Sequence, residues 1–429
     1  MPSRPLRILF LTHYFPPEGN APATRVFELS RRWVNKGHRV TVITGAPNVP
    51  DGKVYEGYRN RLWQTEEMAG IHVIRVWTYL AANQGTLRRI ANYLSFMLSA
   101  ALAGCLTPKP DLIIATSPQF FCGWVGAFLA RLRRRPFILE IRDLWPESIK
   151  VVGALRNPRL LAFLEWLEQR LYAAADHIVT VGWGYHQRLR ERGAPVPKLS
   201  VIPNGVDGVQ FAAHPTGASI RERYGLNGNF VCSYLGTVGL ACGLDVVLRA
   251  AAKLNQRQAA RVRFLIVGDG ALLAKLRTGV QSAGLRNVVF TGRQPKEAMP
   301  EFLAASDACL VHLNRRELFT TVMPSKIFDA LGMCRPVILG VEGFAADFIR
   351  RSGGGICIEP DNEDELISAI DRLSSDPVWA RSMGQAGHDY VIKHFDRDDL
   401  AQQYLDRIQA LLAAGRRPAA SRWSVVRGP

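Results

Sequence analysis

Nine residues, Thr321-Val322-Met323-Pro324-Ser325-Lys326-Ile327-Phe328-Asp329, set a proline, a serine, a cation and a carboxylate around a helix start. Backbone N–H groups at such a start point outward and attract anions, and Lys326 adds a positive charge there. One turn on, Asp329 can accept hydrogen bonds from a sugar hydroxyl. Without a ligand the same pattern is an ordinary capped helix of an α/β domain. Glycine-rich segments offer matching chemistry. Gly236, Gly239 and Gly243 give a bare loop able to cradle phosphate oxygens, and Gly268-Asp269-Gly270 and Gly292-Arg293 end two further apolar runs. Near the start, the loop His13 to Arg25 carries Glu18 and Gly19; Gly19 lets a ligand approach the backbone, and Arg25 can meet a phosphate. Its bland reading is a rigid proline-rich connection. Glu140, Arg142, Asp143, Trp145 and Glu147 crowd another strand end, where Asp143 can act as a base or accept a hydrogen bond from an acceptor hydroxyl. A surface Arg142–Asp143 pair is the alternative there.

The elements that must position these residues are short apolar runs alternating with helical patterns, the signature of parallel α/β layers. Strands are expected at residues 7–12, 39–44, 71–76, 112–115, 137–141 and 177–181, with helices at 23–36 and 158–174. A second set of strands is expected at 230–235, 263–267, 287–291, 308–311, 336–340 and 355–358. Near-continuous apolar content implies sheets covered on both faces. The pattern breaks at Ala194-Pro195-Val196-Pro197-Lys198, which sets the expected domains at 1–197 and 198–395. A helix at 396–414 returning toward the first domain and a basic tail at 415–429 complete the chain. The expected fold is α/β, two Rossmann-like doubly wound domains facing a central cleft, the usual ligand position.

A length of 429 residues accommodates two such domains, and 48% hydrophobic with 21% charged residues excludes a disordered chain. The formal net charge of +17 suits an anionic partner: nucleic acid, anionic lipid or a phosphorylated substrate. Seven scattered cysteines without paired CxxC spacing speak against a disulfide framework or a zinc site, and imply a reducing compartment. Residues 90–106 form an apolar helical run preceded by Arg88 and Arg89; a buried core helix is the first reading and an interfacial helix, with the Arg131–Arg135 cluster on the same face, the second. Asp396-Arg397-Asp398 matches a DxD metal pattern but opens a helix, so capping is the expected role, and no metal site is assigned.

Together these segments resemble the retaining family-4 glycosyltransferases of GT-B fold over nearly the whole chain. The resemblance is carried by Pro16-Pro17-Glu18-Gly19, Gly37-His38-Arg39-Val40-Thr41-Val42, Ile202-Pro203-Asn204-Gly205-Val206-Asp207, Gly236-Thr237, Gly243-Leu244-Asp245, Val267-Gly268-Asp269-Gly270 and residues 326–336. Arg142-Asp143-Leu144-Trp145-Pro146 and Pro324-Ser325-Lys326 are most similar to the bacterial surface-polysaccharide branch, including N-acetyl-fucosamine transferases of O-antigen assembly. The resemblance implies a UDP-sugar donor on the second domain and a polyprenyl-diphosphate-linked acceptor on the first, without metal or other cofactor. It implies a cytoplasmic enzyme, peripheral on the inner face of the membrane. It places Glu18, Gly19 and Asp143 at the catalytic centre, with Gly19 by the transferred sugar. Gly236, Thr237, Gly268, Arg293, Thr321, Ser325, Lys326 and Asp329 would hold the donor, with Asp329 on the ribose; Arg25 and Arg142 would meet acceptor or phosphate.

Two departures from the family pattern stand out. The family's paired glutamates fall on Thr321 and Asp329, and its diphosphate-clamping Arg and Lys on Thr237 and Cys242. Lys326, with Arg293 or Arg25, can supply the missing charge; a chain that has lost catalysis is the opposed reading. Two other classes compete with glycosyl transfer: a nucleotide-sugar epimerase of the same fold, and a non-catalytic basic module binding a membrane surface or nucleic acid. Nothing in the chain matches the aromatic-basic interleaving of an RNA platform, so nucleic acid is not expected.

Overall fold

The computed structural model describes residues 4–49, 52–80, 86–117, 120–147, 157–208, 216–257 and 261–415. All but the first residue of the basic tail expected at 415–429 therefore lies outside the described residues. The chain divides into two compact units, Met1–Pro203 with Asp398–Pro429, and Asn204–Arg397.

In the first unit the strands are β1 (Arg7–Leu11), β2 (Arg39–Gly45), β3 (Trp63–Met68), β4 (Ile71–Val76), β5 (Leu112–Thr116), β6 (Phe137–Ile141), β7 (His177–Thr180) and β8 (Leu199–Val201). The helices between them are α1 (Ala21–Asn35), α2 (Thr86–Leu106), α3 (Phe120–Arg133), α4 (Pro158–Ala174) and α5 (Trp183–Glu191). The sheet order is β3-β4-β2-β1-β5-β6-β7-β8. Every pairing is parallel except β3 with β4. Strand β1 lies between β2 and β5, with Ile8 opposite Val40 on one side and Leu112 on the other. β1, β5 and β6 are almost wholly buried, which is why they read as unbroken apolar runs. β3 escapes such a reading because it is an antiparallel edge strand, Trp-Gln-Thr-Glu-Glu-Met, alternating between exposed and half-buried.

The expected boundary at 197/198 moves. β8 pairs with β7, Leu199 opposite Ile178, so the first sheet takes residues assigned above to the second domain. Three residues of strand after a proline-rich stretch carry no periodicity to say which sheet they join.

The second unit holds β9 (Phe230–Leu235), β10 (Val262–Val267), β11 (Val288–Gly292), β12 (Ala308–His312), β13 (Val337–Gly340) and β14 (Gly355–Cys357). Its helices are α6 (Ala218–Arg223), α7 (Asp245–Gln256), α8 (Leu273–Ser282), α9 (Met299–Ala304), α10 (Lys326–Gly332), α11 (Phe344–Ser352), α12 (Glu363–Ser375) and α13 (Pro377–Phe395). Order β11-β10-β9-β12-β13-β14, parallel throughout, is the doubly wound arrangement whose direction reverses between β9 and β12. In the first sheet the reversal lies between β1 and β5. Ligands of such sheets bind beyond the carboxyl ends of the strands at these switch points. Both units are thus Rossmann-like α/β domains.

The last helix, α14 (Arg397–Ala413), belongs to the first unit from Asp398 onward. Leu400, Ala401, Tyr404 and Ile408 join the core around Trp33. The Trp33 indole donates to the Ala401 carbonyl at 3.0 Å, and the Tyr404 ring meets it edge-on at 5.3 Å. Asp398, one end of the DxD pattern, takes an ion pair from Arg32.

Candidate active site

In the first unit the loops after β1 and β6 carry the residues singled out in the sequence. Glu18 is buried, and one of its oxygens accepts the backbone N–H groups of Asn48 at 3.0 Å and Val49 at 3.1 Å. Burial raises its pKa. Glu18 therefore fixes the loop after β2 against the loop after β1. Gly19, its neighbour, has open space where a side chain would stand. At the end of β6 the N–H groups of Arg142 and Asp143 both reach the Ser117 hydroxyl, at 2.7 and 3.3 Å. Ser117, at the end of β5, was not singled out by sequence, yet it sets the backbone on which Asp143 sits.

Arg142 keeps its Nε and Nη1 without a partner although both atoms are buried, and burial pulls its pKa down to about 10. Asp143 lines a small cavity with Ser117, Phe120, Leu139, Trp145 and Glu168. Trp145 stacks on Phe120 at 4.4 Å. At the cavity wall Glu168 accepts from Tyr172 and from Arg192, and burial pushes its carboxyl up to about 7.

Arg25 has a different place from the one its position suggests. Its Nε donates to Glu140 at 3.1 Å, Nη1 to the Pro203 carbonyl at 2.8 Å and Nη2 to the Ile202 carbonyl at 2.7 Å. Both partners of the Arg25–Glu140 pair are buried, and Glu140 also accepts from the Thr116 hydroxyl at 3.0 Å. Arg25 ties α1 to β6 and to the chain leaving the unit, and its edges are committed. The structure corrects its expected role as a phosphate ligand. Arg25→Met strands a buried carboxylate, so we expect a loss of roughly 3–5 kcal/mol in denaturant unfolding. A loss below about 1 kcal/mol would put the pair among ordinary surface bridges.

In the second unit the switch-point strand ends carry glycines because backbone lies against backbone. Gly268 takes φ +142°, and a Cβ there would fall 1.9 Å from the Gly236 carbonyl oxygen. Gly236 donates to Val267 at 2.8 Å and Gly268 to Gly292 at 3.0 Å, so the ends of β9, β10 and β11 stand side by side, with exposed Arg293 following the last. Thr237 is exposed, and its carbonyl accepts from the Tyr234 hydroxyl at 2.7 Å and the Cys242 thiol at 3.2 Å.

Onto this floor comes Lys326. α10 has only seven residues, and Ser325 before it makes no side-chain cap, so the helix start alone is a modest anion site. The Lys326 side chain instead crosses to β9. Its amine lies 3.8 Å from the centroid of the Tyr234 ring, and a Cβ on Gly236 would be 3.1 Å from its Nζ. Tyr234, absent from the sequence reading, is thus the platform that aims this cation. Burial pulls the Lys326 pKa down to about 8. Asp329, one turn on, is 43% exposed at its side chain, with Arg397 Nη2 3.7 Å away. Arg397 also donates from Nε to the Gly205 carbonyl at 2.9 Å, while its Nη1 is buried without a partner. Thr321 closes the preceding 3-10 turn, its hydroxyl donating to Leu318 at 2.7 Å.

His312, at the end of β12, is buried and pins the glycine loop. Its Nδ1 meets the Cys242 carbonyl at 2.8 Å, and its Nε2 accepts from the Asp361 backbone at 2.9 Å, the pattern of a neutral ring. Burial lowers its pKa, in keeping with that state. No sequence spacing marks it, since both partners reach it only through the fold.

Two Rossmann-like α/β units in one chain, each with a switch point in its sheet, are the architecture of the GT-B class. The chain belongs to the glycosyltransferases: residues 20–205 match the glycosyl transferase 4-like domain family and residues 218–390 match glycosyl transferases group 1. It is 25% identical over 415 residues to WcaI of Escherichia coli (strain K12), named as a colanic acid biosynthesis glycosyl transferase, covering 94% of this chain and 100% of that one. Among solved structures, Anabaena Alr3699/HepE in complex with UDP and glucose superposes with a TM-score of 0.72 at 18% identity, covering 94% and 100% of the two chains. WaaG, a glycosyltransferase involved in lipopolysaccharide biosynthesis, superposes with a TM-score of 0.67 at 15% identity over 94% and 99%.

Proposed function

We propose that this chain is a retaining glycosyltransferase of bacterial surface-polysaccharide or lipopolysaccharide assembly. It moves a sugar, an N-acetylated hexosamine or deoxyhexosamine, from a UDP-linked donor to a polyprenyl-diphosphate-linked saccharide at the inner face of the cytoplasmic membrane. The observation that carries the reading is the Lys326 amine held over Tyr234 beside Gly236, in a chain whose family positions for the usual cations hold Thr237 and Cys242. A charge delivered from α10 replaces charge missing from the glycine loop.

In this reading the diphosphate lies on Gly236, Thr237 and Gly268 beneath Lys326, with Arg293 at the rim and Asp329 on the ribose. Arg397 orients the Asp329 carboxylate. On the first unit, Asp143 accepts the hydrogen bond of the acceptor hydroxyl, and Arg142, with its Nε and Nη1 buried, adds positive charge behind the acceptor's phosphate. Glu18 keeps Gly19 open to the sugar. During transfer the bond from the sugar's anomeric carbon to the diphosphate oxygen breaks and UDP departs with the electron pair. The acceptor oxygen bonds the same carbon on the face the UDP leaves, and its proton passes to Asp143.

The test is mass spectrometry of a polyprenyl-diphosphate-sugar acceptor incubated with the chain and a panel of UDP-sugars. A gain of one sugar from one donor, with the anomeric configuration kept, is the expected result. Isomerised donor without transfer would replace this reading with an epimerase. No change with any donor, together with no UDP-sugar binding, would overturn it in favour of a non-catalytic module.

A further inference from the structure

The helix expected first as a buried core element has a bare apolar side. α2 buries Asn92, Phe96, Ala100 and Ala103, while Leu98, Leu102 and Leu106, spaced by one turn on the opposite side, are 67, 66 and 66% exposed. The connections β4 to β5, β5 to β6 and β6 to β7 all step the same way along the sheet, so right-handed crossovers put α2, α3 and α4 on one sheet face. α2 packs on α3 and α3 on α4. The last turns of α2 and α3 lie side by side: Gly104 faces Leu129, and Arg133 donates to the carbonyls of Gly104 at 2.9 Å and Thr107 at 3.0 Å. Phe128 and Leu132 of α3, 51 and 55% exposed, therefore extend the leucine stripe. On α4, Phe163 and Trp166 stack on each other in the open at 6.0 Å.

Charge decides the occupant. Neither α2 nor α3 contains an acidic residue, and exposed Arg88, Arg131 and Arg134 border the stripe at the start of α2 and the end of α3. On α2 and α3 the leucines and Phe128 are flanked by arginines with no acid between them, and on α4 exposed Glu165 beside Phe163 and Trp166 is accompanied by exposed Arg159 and Arg170. This net positive border matches the acyl boundary and phosphate headgroups of an anionic bilayer. A protein partner has no need for such a border. Among the described residues no helix is long and apolar enough to cross a membrane, so the contact lies along the surface.

We propose that the exposed side of α2 and α3, extended by Phe163 and Trp166, is a docking face for an anionic lipid bilayer; the inference rests on the lipid-linked acceptor of the proposed function and names the surface that meets its membrane. The arginines hold headgroup phosphates while Leu98, Leu102, Leu106, Phe128 and Leu132 enter the interface.

The full chain is floated with vesicles of phosphatidylcholine containing roughly a third phosphatidylglycerol, and with phosphatidylcholine alone. Flotation with the anionic vesicles, weakened about tenfold or more by Leu98→Glu with Leu102→Glu, is the expected outcome. Arg131→Ala with Arg134→Ala removes the preference for phosphatidylglycerol, and both variants keep the wild-type melting temperature and UDP-sugar binding. The proposal is overturned if wild type stays in solution with both vesicles, or if the glutamate variant floats as wild type does. It is also overturned if the face instead forms a lipid-independent dimer that the glutamates dissociate. Flotation lost with UDP-sugar binding intact removes this face alone; flotation intact with no transfer from any donor removes the enzymatic reading alone.

Discussion

Lys326→Met weakens UDP-sugar binding by about 10- to 100-fold, the loss of one charge-assisted contact worth roughly 1.5–3 kcal/mol. The lysine is asked to do more than its equivalents in a glycine loop rich in cations, because Thr237 and Cys242 carry no charge. Its geometry makes the effect specific: the amine sits over Tyr234 at 3.8 Å and has little freedom to find another role. The measurement is a titration of UDP-sugar by calorimetry, with wild type and variant at equal pH and salt. Unchanged affinity would remove Lys326 from the diphosphate site.

The same residue gives the binding a pH signature. The Lys326 pKa is pulled by burial from 10.5 to about 8, so the amine is charged below that value and neutral above it. Both phosphates of a UDP-sugar stay ionised here and its uracil N3–H ionises only at higher pH, so a titration near 8 belongs to the protein. Wild-type affinity falls as pH rises through about 8, and Lys326→Met is flat there. Lys326→Arg, whose charge persists, keeps affinity on the alkaline side. Folding responds with the opposite sign. Between about 8 and 10.5 the unfolded chain binds a proton at this lysine that the folded chain does not, so this group's contribution to stability rises with pH across that window.

Asp143→Asn lowers turnover by about 100- to 10,000-fold, the range of a positioned acid–base group, while leaving the UDP-sugar dissociation constant within roughly twofold. The separation follows from topology: Asp143 follows β6 in the first unit, and the residues assigned to the donor lie at strand ends and on α10 of the second. The backbone around Asp143 is held by Ser117, so an isosteric amide changes the proton acceptor and little else. Single-turnover kinetics with saturating donor separates the chemical step from binding. A variant with turnover near wild type would move the base to another residue or to the leaving phosphate.

Much of the fold is legible before any coordinates because parallel strands are covered on both faces. β4, β6 and β9 read from the sequence at their observed bounds, Ile71–Val76, Phe137–Ile141 and Phe230–Leu235. β3 does not, since an edge strand is free to be polar, and β8 does not find its sheet from three residues. The outer side of α2 also misleads. Its composition suits a core helix as well as an interfacial one, and only the burial of Phe96 and Ala100 in the fold shows which side is left bare.

The sequence by itself determined the two α/β units, the glycine-ended strands and the segment from Thr321 to Asp329, because each rests on local periodicity or on backbone freedom near one residue. The tertiary structure decided what each charge does. Arg25 and Lys326 look alike in the chain, each a cation near a helix start at a ligand-side loop. Folding brings Glu140, 115 residues away in sequence, against Arg25 and closes it in a buried ion pair. It brings Tyr234 beneath Lys326 and leaves that amine directed at Gly236. A charge is structural or available according to its partners, and those partners are set by which strands lie side by side in the sheet.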